Sequence, residues 1–236
     1  MKELETSADT PAAKPTVFAI VSVAMLIIVI SGLIFRFADY LQWSLLSFYF
    51  ALMIATVAIN LACLMRWNPE LIWRRVGFKS GAKRWDIAFL IIWFAPTVIA
   101  VFVVAYDTAT GINGAPGAAW FVGMIIFVGS WALSNWAMVV NPFFEKTVRI
   151  QTEHEHHVID NGPYAFVRHP GYVGFIGWLI STPILLSSIG AFVPALLAVS
   201  GLVFRTVLED RTLQAELAGY DSYAARVRFR LIPGIW

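Results

Sequence analysis

Hydrophobic residues along this chain fall into long runs that no charged residue interrupts. Four such runs span residues 17–35, 45–65, 87–106 and 118–140. A helix needs about 20 predominantly apolar residues to cross the hydrocarbon core of a bilayer. The pattern therefore predicts four transmembrane helices within residues 17–140.

A fifth apolar run, 170–204, is also uncharged, but it is too long for one crossing and barely long enough for two. Its best turn signal is the Ser-Ser-Ile-Gly sequence at 187–190. We therefore expect a tight helical hairpin there, which makes the fold an all-α polytopic integral membrane protein with about six crossings. A hairpin that does not span fully would leave four full crossings and a re-entrant pair, with every loop on the same side as before.

Composition supports a membrane location. The chain has 236 residues, of which 59% are hydrophobic and 14% charged, and its mean hydropathy is +0.72. Soluble domains carry roughly 25% charged residues, so this chain has too few charges to solvate a soluble surface. A formal net charge of +2 also disfavours nucleic-acid binding, because few phosphates could be neutralised.

Lys and Arg residues set the predicted orientation. Six lie in the 66–84 loop, three in the 141–169 loop and five in the tail from Arg205, whereas the 108–117 loop has no charged residue. Cytoplasmic loops carry the excess of Lys and Arg, so both termini are expected in the cytoplasm. We divide the chain into a disordered tail (1–16), four membrane helices (17–140) and a C-terminal region (141–236) that is expected to hold the functional site.

Two polar stretches flank the predicted hairpin: a first polar stretch, 149–174, and a second polar stretch, 205–236. The hairpin returns the chain to the membrane face from which it started. Both polar stretches therefore lie at one face, and a functional site between them is expected on the cytoplasmic side.

The first polar stretch has features of a ligand-binding loop. Gly162 and Pro163 form a turn signal, and Pro170 is tolerated in the first turn of the following helix. Arg168 could hold a carboxylate through two parallel hydrogen bonds. The alternative is that Arg168 is an interfacial anchor beside a membrane helix.

Aromatic and histidine side chains add to this stretch. Tyr164 and Tyr172 offer ring faces for a flat base or a cation, although Tyr172 could also be an aromatic-belt residue. The four histidines do not show the helical spacing of a zinc protease, so no metal site is predicted.

In the second polar stretch, Glu209 and Asp210 follow a membrane helix, where carboxylates are unfavourable unless they are paired or bind a ligand. A pair between Arg205 and Glu209, one helical turn apart, would be a sufficient structural reason. Further on, 226–230 alternates arginine with apolar residues, which is also typical of a segment that lies on anionic lipid.

These two stretches together resemble the isoprenylcysteine carboxyl methyltransferase family of integral-membrane methyltransferases. The residues that carry the resemblance are His156-His157-Val158-Ile159, Gly162-Pro163-Tyr164, Arg168 to Gly174 (RHPGYVG), Glu209-Asp210, Gly219-Tyr220, Tyr223 and Arg226 to Pro233 (RVRFRLIP). They cover about the last 90 residues, and their order and spacing agree with the family.

The resemblance implies a methyltransferase of bacterial inner-membrane type that uses S-adenosyl-L-methionine as its cofactor. The family pattern assigns cofactor binding to His156, Gly162, Pro163, Tyr164, His169, Pro170, Tyr172 and Glu209. Two positions depart from the pattern. Asp210 stands where a second Glu is usual, so its contact is expected to be longer or lost, and Glu155 stands where Gly is frequent.

The resemblance implies a lipophilic or prenylated small molecule or protein as the acceptor, and contact with membrane lipid. For a carboxylate acceptor we expect Arg168, Glu209 and Arg230 to carry the catalytic roles. Amine N-methylation of phospholipid and methylation of a small thiol are the alternatives on the same scaffold. A non-enzymatic membrane protein, such as a transporter or an assembly subunit, is less consistent with the sequence, since the first four apolar runs contain no charged residue that could form a transport path.

Overall fold

A computed structural model describes residues 44–75, 81–110, 112 and 117–236, and every regular element in them is a helix. The first predicted crossing, 17–35, and the predicted tail, 1–16, lie outside the described residues. The helices are α1 (Ser44–Trp67), α2 (Pro69–Arg74), α3 (Arg84–Ala109), α4 (Ala118–Val140), α5 (Pro170–Leu185), α6 (Phe192–Glu216) and α7 (Tyr220–Arg226), with 3-10 turns at Thr152–His154 and Gly162–Ala165.

Four of these helices are long and apolar enough to cross a membrane: α1, α3, α4 and α6. They contain the predicted runs 45–65, 87–106 and 118–140, and the second half of the hairpin run. Large apolar side chains on the outer faces of these helices are exposed, for example Phe102 at 70% and Ile125 at 73%. Such surfaces need a lipid environment, so the chain is an integral membrane protein.

The helical hairpin forms where the sequence predicts it. Helix α5 ends at Leu185 and α6 begins at Phe192, and Ser187 between them has a positive φ of 52°. The hydroxyl of Ser188 donates to the carboxylate of Asp107, at the end of α3, over 2.6 Å. This bond fixes the turn against the neighbouring helix at the membrane face opposite the polar stretches.

Small residues bring α4 and α5 into close contact. A Cβ on Gly174 would lie 2.6 Å from the backbone oxygen of Ser130, and one on Gly177 would lie 2.1 Å from the hydroxyl of the same serine. Small residues at membrane helix interfaces allow this approach of backbones. As a result α5, which begins directly after the first polar stretch, is held rigidly against α4.

Replacing Gly174 with Leu is therefore expected to lower the melting temperature in detergent by several degrees, because overpacking costs about 1–3 kcal/mol. The matched control is Gly129→Leu on α4, where an added Cβ meets nothing within 4 Å. Equal melting temperatures for the two variants would contradict the tight α4–α5 contact.

Candidate active site

The two polar stretches meet at one end of the helices, as expected. The backbone N–H of Arg168 donates to the carbonyl of Phe229 at 3.0 Å, and that of His169 donates to the carbonyl of Arg230 at 3.0 Å. The chain just before α5 thus pairs with the chain that follows α7. The two stretches form a single polar layer above the hairpin.

Asp210, on α6, is the centre of this layer and is completely buried. Arg168 donates to it from Nε (2.8 Å) and Nη2 (2.9 Å), and Arg230 donates from Nε at 2.8 Å. The hydroxyl of Tyr220 donates at 2.9 Å, and Nε2 of His169 lies 3.2 Å away. Asp210 thus has four partners within the protein, and the longer or lost contact expected at this position stays a prediction.

The guanidinium of Arg168 is occupied within the protein. Its Nη1 donates to the carbonyls of Val227 and Arg228, at 2.8 and 2.9 Å, while its other donors bind Asp210. Arg230 uses Nε for Asp210, stacks its guanidinium over Trp236 and keeps 28% of its side chain exposed. The side chain of Arg226 is 62% exposed and pairs with Asp160 at 2.6 Å, so a role at anionic lipid stays a prediction for Arg226 and Arg228.

A second buried ion pair joins Asp86, in the first turn of α3, to Arg205 on α6. Nε of Arg205 donates to Oδ1 of Asp86 at 2.7 Å, and Nη2 donates to Oδ2 at 3.2 Å. Asp86 also accepts from the backbone N–H of Val148 at 2.7 Å. The pair suggested from the sequence between Arg205 and Glu209 is not formed. Sequence analysis missed Asp86, whose signal was a carboxylate at the entry to an apolar helix.

Glu209 interacts with an aromatic residue instead. The hydroxyl of Tyr172 donates to Oε2 of Glu209. The Tyr172 ring stacks on His169, with centroids 5.7 Å apart and planes at 15°, and the guanidinium of Arg205 lies 5.5 Å from its centroid. Glu209 is thereby held half-buried beside an aromatic surface.

These groups surround a cavity of about 300 Å³, at the small end of the range for ligand clefts. Six of the predicted site residues line it: His156, Tyr164, Arg168, His169, Tyr172 and Glu209. The cavity continues between the membrane helices, where its wall is apolar: Leu90, Trp93, Phe175, Trp178 and Leu202. One space therefore joins a polar end to an apolar end.

Gly162, Pro163, Pro170 and Arg230 are not part of the cavity wall. Gly162 takes a φ of +56° and with Pro163 begins a 3-10 turn, and Pro170 is the first residue of α5. The backbone roles expected for these three residues are therefore seen. The turn places buried Tyr164, whose hydroxyl accepts from the Asn141 side chain at 3.0 Å.

His156 is held in its neutral form. Its Nδ1 accepts from the backbone N–H of Gln151 at 3.3 Å, and its ring packs on Phe143 at 4.3 Å between centroids. Burial lowers the pKa of His156 to about 4. The neutral ring then carries its proton on Nε2, which remains a donor for a ligand. Glu155 before it takes the left-handed conformation, with φ of 53°, that glycine favours at this position.

No group of three potential metal ligands occurs within residues 44–75, 81–110, 112 and 117–236.

Comparison with known proteins gives a family match over part of the chain. The model of the isoprenylcysteine carboxyl methyltransferase family matches residues 122–215. The chain is 33% identical over 67 residues to a probable protein-S-isoprenylcysteine O-methyltransferase of Oryza sativa subsp. indica, and 36% identical over 70 residues to the protein-S-isoprenylcysteine O-methyltransferase of Schizosaccharomyces pombe. The alignment with the Oryza sativa protein covers 28% of this chain and 35% of that relative, and the alignment with the Schizosaccharomyces pombe protein covers 30% of this chain and 28% of that relative. The chain thus spans about a third of the length of the curated relatives it matches.

Asp210→Asn is expected to destabilise the protein strongly, because it leaves buried guanidinium groups without their counter-charge, at about 3–5 kcal/mol. The melting temperature in detergent should fall by about 10 °C. Asp221→Asn, an exposed aspartate in the first turn of α7, is the control and should melt like the wild type. A melting temperature unchanged in Asp210→Asn would show that the polar layer does not depend on this charge.

Acid is expected to destabilise the folded protein through His156. Its folded pKa of about 4 lies below the ordinary 6.5, so its contribution to stability is full above pH 6.5 and is lost as the pH falls toward 4. His156→Asn keeps an acceptor near the Nδ1 position but does not titrate. Its melting temperature should change less between pH 7 and pH 4 than that of the wild type or of His154→Asn, an exposed control.

Proposed function

We propose, on the premise that residues 122–215 belong to the isoprenylcysteine carboxyl methyltransferase family, that this chain is an S-adenosylmethionine-dependent membrane methyltransferase. Its reaction is the O-methylation of a carboxylate on an isoprenylcysteine-like or other lipophilic acceptor. The observation that carries the proposal is the cavity whose polar end lies in the family-matched region and whose apolar end lies between membrane helices.

The polar end suits the cofactor chemically. S-adenosylmethionine combines a sulfonium, an ammonium, a carboxylate and a flat base. The rings of Tyr164 and Tyr172 can accept a cation or the base, the Glu209 carboxylate can accept from an ammonium or a hydroxyl, and Nε2–H of His156 can donate. We assign these four residues to cofactor binding, and Gly162, Pro163 and Pro170 to shaping the backbone that presents them.

The bound cofactor supplies a methyl group that its positive sulfur already activates. Transfer would form a bond from the acceptor oxygen to the methyl carbon and break the carbon–sulfur bond, with the electron pair left on sulfur. A carboxylate acceptor is already ionised at neutral pH, so no general base is required. The protein has to align the acceptor and exclude water, which the apolar wall of Trp93, Phe175 and Trp178 favours.

The charges of the wall favour a carboxylate over an amine acceptor. Four arginines and Lys146 line the cavity, against two carboxylates, Glu145 and Glu209, and two of the arginines are also paired with buried aspartates behind the wall. Glu145 is neutralised by Arg149, which donates to it at 2.8 and 2.9 Å. Arg75, which forms no ion pair with the described residues, would repel an ammonium headgroup, and this disfavours phospholipid N-methylation.

We assign Arg168 and Arg230 to positioning, and Glu209 to contact with the cofactor beside the reacting groups. Asp210 engages both arginines, and Arg168 also holds the backbone of the C-terminal segment. The contacts of both arginines with Asp210 support an indirect effect on catalysis, in which the arginines maintain the shape of the site.

We also propose that the cavity opens to the cytoplasm. The cationic residues that line it include Arg75, Lys146 and Arg149. The far end of the helices, around 106–110 and 186–191, carries no Lys or Arg. This asymmetry matches the positive-inside rule.

Purified protein is expected to bind S-adenosylhomocysteine in isothermal titration calorimetry. Glu209→Gln should weaken binding about 10- to 100-fold, because it removes a charged acceptor. Glu216→Gln on the same helix, outside the cavity wall, is the matched control. Absence of binding to the wild type would contradict every methyltransferase hypothesis.

With radiolabelled cofactor and an S-farnesylcysteine acceptor, we expect the methyl group to be released by mild base, as an ester is. Label that resists base would indicate N- or S-methylation and would contradict the carboxyl O-methyltransferase assignment.

A further inference from the structure

The four arginines that line the cavity differ in their counter-charges. Arg149 pairs with Glu145, Arg168 with Asp210 and Arg205 with Asp86. The fourth, Arg75, forms no ion pair with any residue of 44–75, 81–110, 112 and 117–236. A cavity wall with one uncompensated guanidinium is suited to an anionic ligand.

The contacts of Arg75 leave most of its donors available. It follows α2 as the C-terminal cap, and its Nη1 donates to the carbonyl of Phe144 at 2.9 Å. Its guanidinium lies 5.5 Å from the centre of the Phe144 ring. Nε and Nη2 donate to no residue of the described part of the chain, and these two groups form the edge that binds a carboxylate in two parallel bonds.

The environment of Arg75 is unfavourable for a cation. Burial lowers the pKa of Arg75 and the positive charge of Arg205 lowers it further, and together they outweigh the opposite effects of Tyr172 and Glu145. An anion placed against Arg75 would relieve both effects.

The position of Arg75 favours the acceptor over the cofactor as that anion. Leu71 of α2 belongs to an apolar cluster against which Phe144 and Phe175 pack, and both phenylalanines line the cavity. Arg75 therefore lies beside apolar wall residues. Its position in the chain also precedes the family-matched region, 122–215.

We propose that Arg75 binds the anionic head of a lipid-tailed acceptor and so selects for a carboxylate. The proposal rests on the methyltransferase function proposed above. The tail would lie along the apolar wall formed by Trp93, Phe175 and Leu202. Specificity for the acceptor is then set by a residue outside the part of the chain that matches the family.

The test compares Arg75→Gln with Arg74→Gln. Arg74 is the neighbouring arginine and makes a similar backbone contact, from Nη1 to the carbonyl of Pro142 at 3.1 Å, but it is absent from the cavity wall. Arg75→Gln should raise KM for N-acetyl-S-farnesylcysteine about 10- to 100-fold and leave the Kd for S-adenosylhomocysteine within about twofold. Arg75→Lys should recover part of the loss, and Arg74→Gln should resemble the wild type.

Three outcomes would overturn the proposal. A raised Kd for S-adenosylhomocysteine in Arg75→Gln would assign Arg75 to the cofactor carboxylate. Equal losses in Arg74→Gln and Arg75→Gln would assign it to fixing the 141–144 backbone. The third outcome is a wild type that binds S-adenosylhomocysteine but methylates a farnesyl amine in preference to the acid. It would refute selection for carboxylates by Arg75 while the protein remained a methyltransferase. If the wild type did not bind S-adenosylhomocysteine at all, the proposed function itself would be refuted.

Discussion

The buried charge of Asp210 is the constraint on which the polar layer depends. One carboxylate accepts from two arginines and a tyrosine and contacts a histidine, and these partners come from the loop before α5, from α7 and from the segment after it. A buried ion has to be paired and hydrogen-bonded, and Asp210 meets that requirement only when all three parts of the chain are in place. Its position thereby couples the stability of the layer to the geometry of the cavity.

Local features of the sequence predict much of this fold. The apolar runs predict α1, α3 and α4 because length and hydrophobicity alone decide whether a helix can cross a bilayer. The turn at Ser187, the positive φ of Gly162 and the start of α5 at Pro170 follow from the conformational limits of single residues. These features need no knowledge of distant partners.

Contacts between distant residues could not be predicted in the same way. Asp86 and Arg205 are separated by more than a hundred positions, and the nearer Glu209 is an equally reasonable partner in a helical pattern. The four partners of Asp210 were not visible in the sequence either, because they come from separate parts of the chain. Which arginine faces a ligand depends on which arginines are already paired, and only the three-dimensional structure distinguishes Arg75 from Arg168.

The short length of α5 has a consequence for the bilayer itself. Its 16 residues extend about 24 Å, which is less than the roughly 30 Å of a typical hydrocarbon core. Both ends of α5 are fixed: the Asp107–Ser188 bond holds one end, and the polar layer holds the other. Lipid around the hairpin must therefore thin, or the polar layer must lie below the level of the surrounding headgroups. In the proposed reaction, a recessed layer would shorten the distance that an acyl or prenyl tail has to travel out of the membrane, and the depth at which a water-soluble donor and a lipid-dissolved acceptor meet would be determined by one helix.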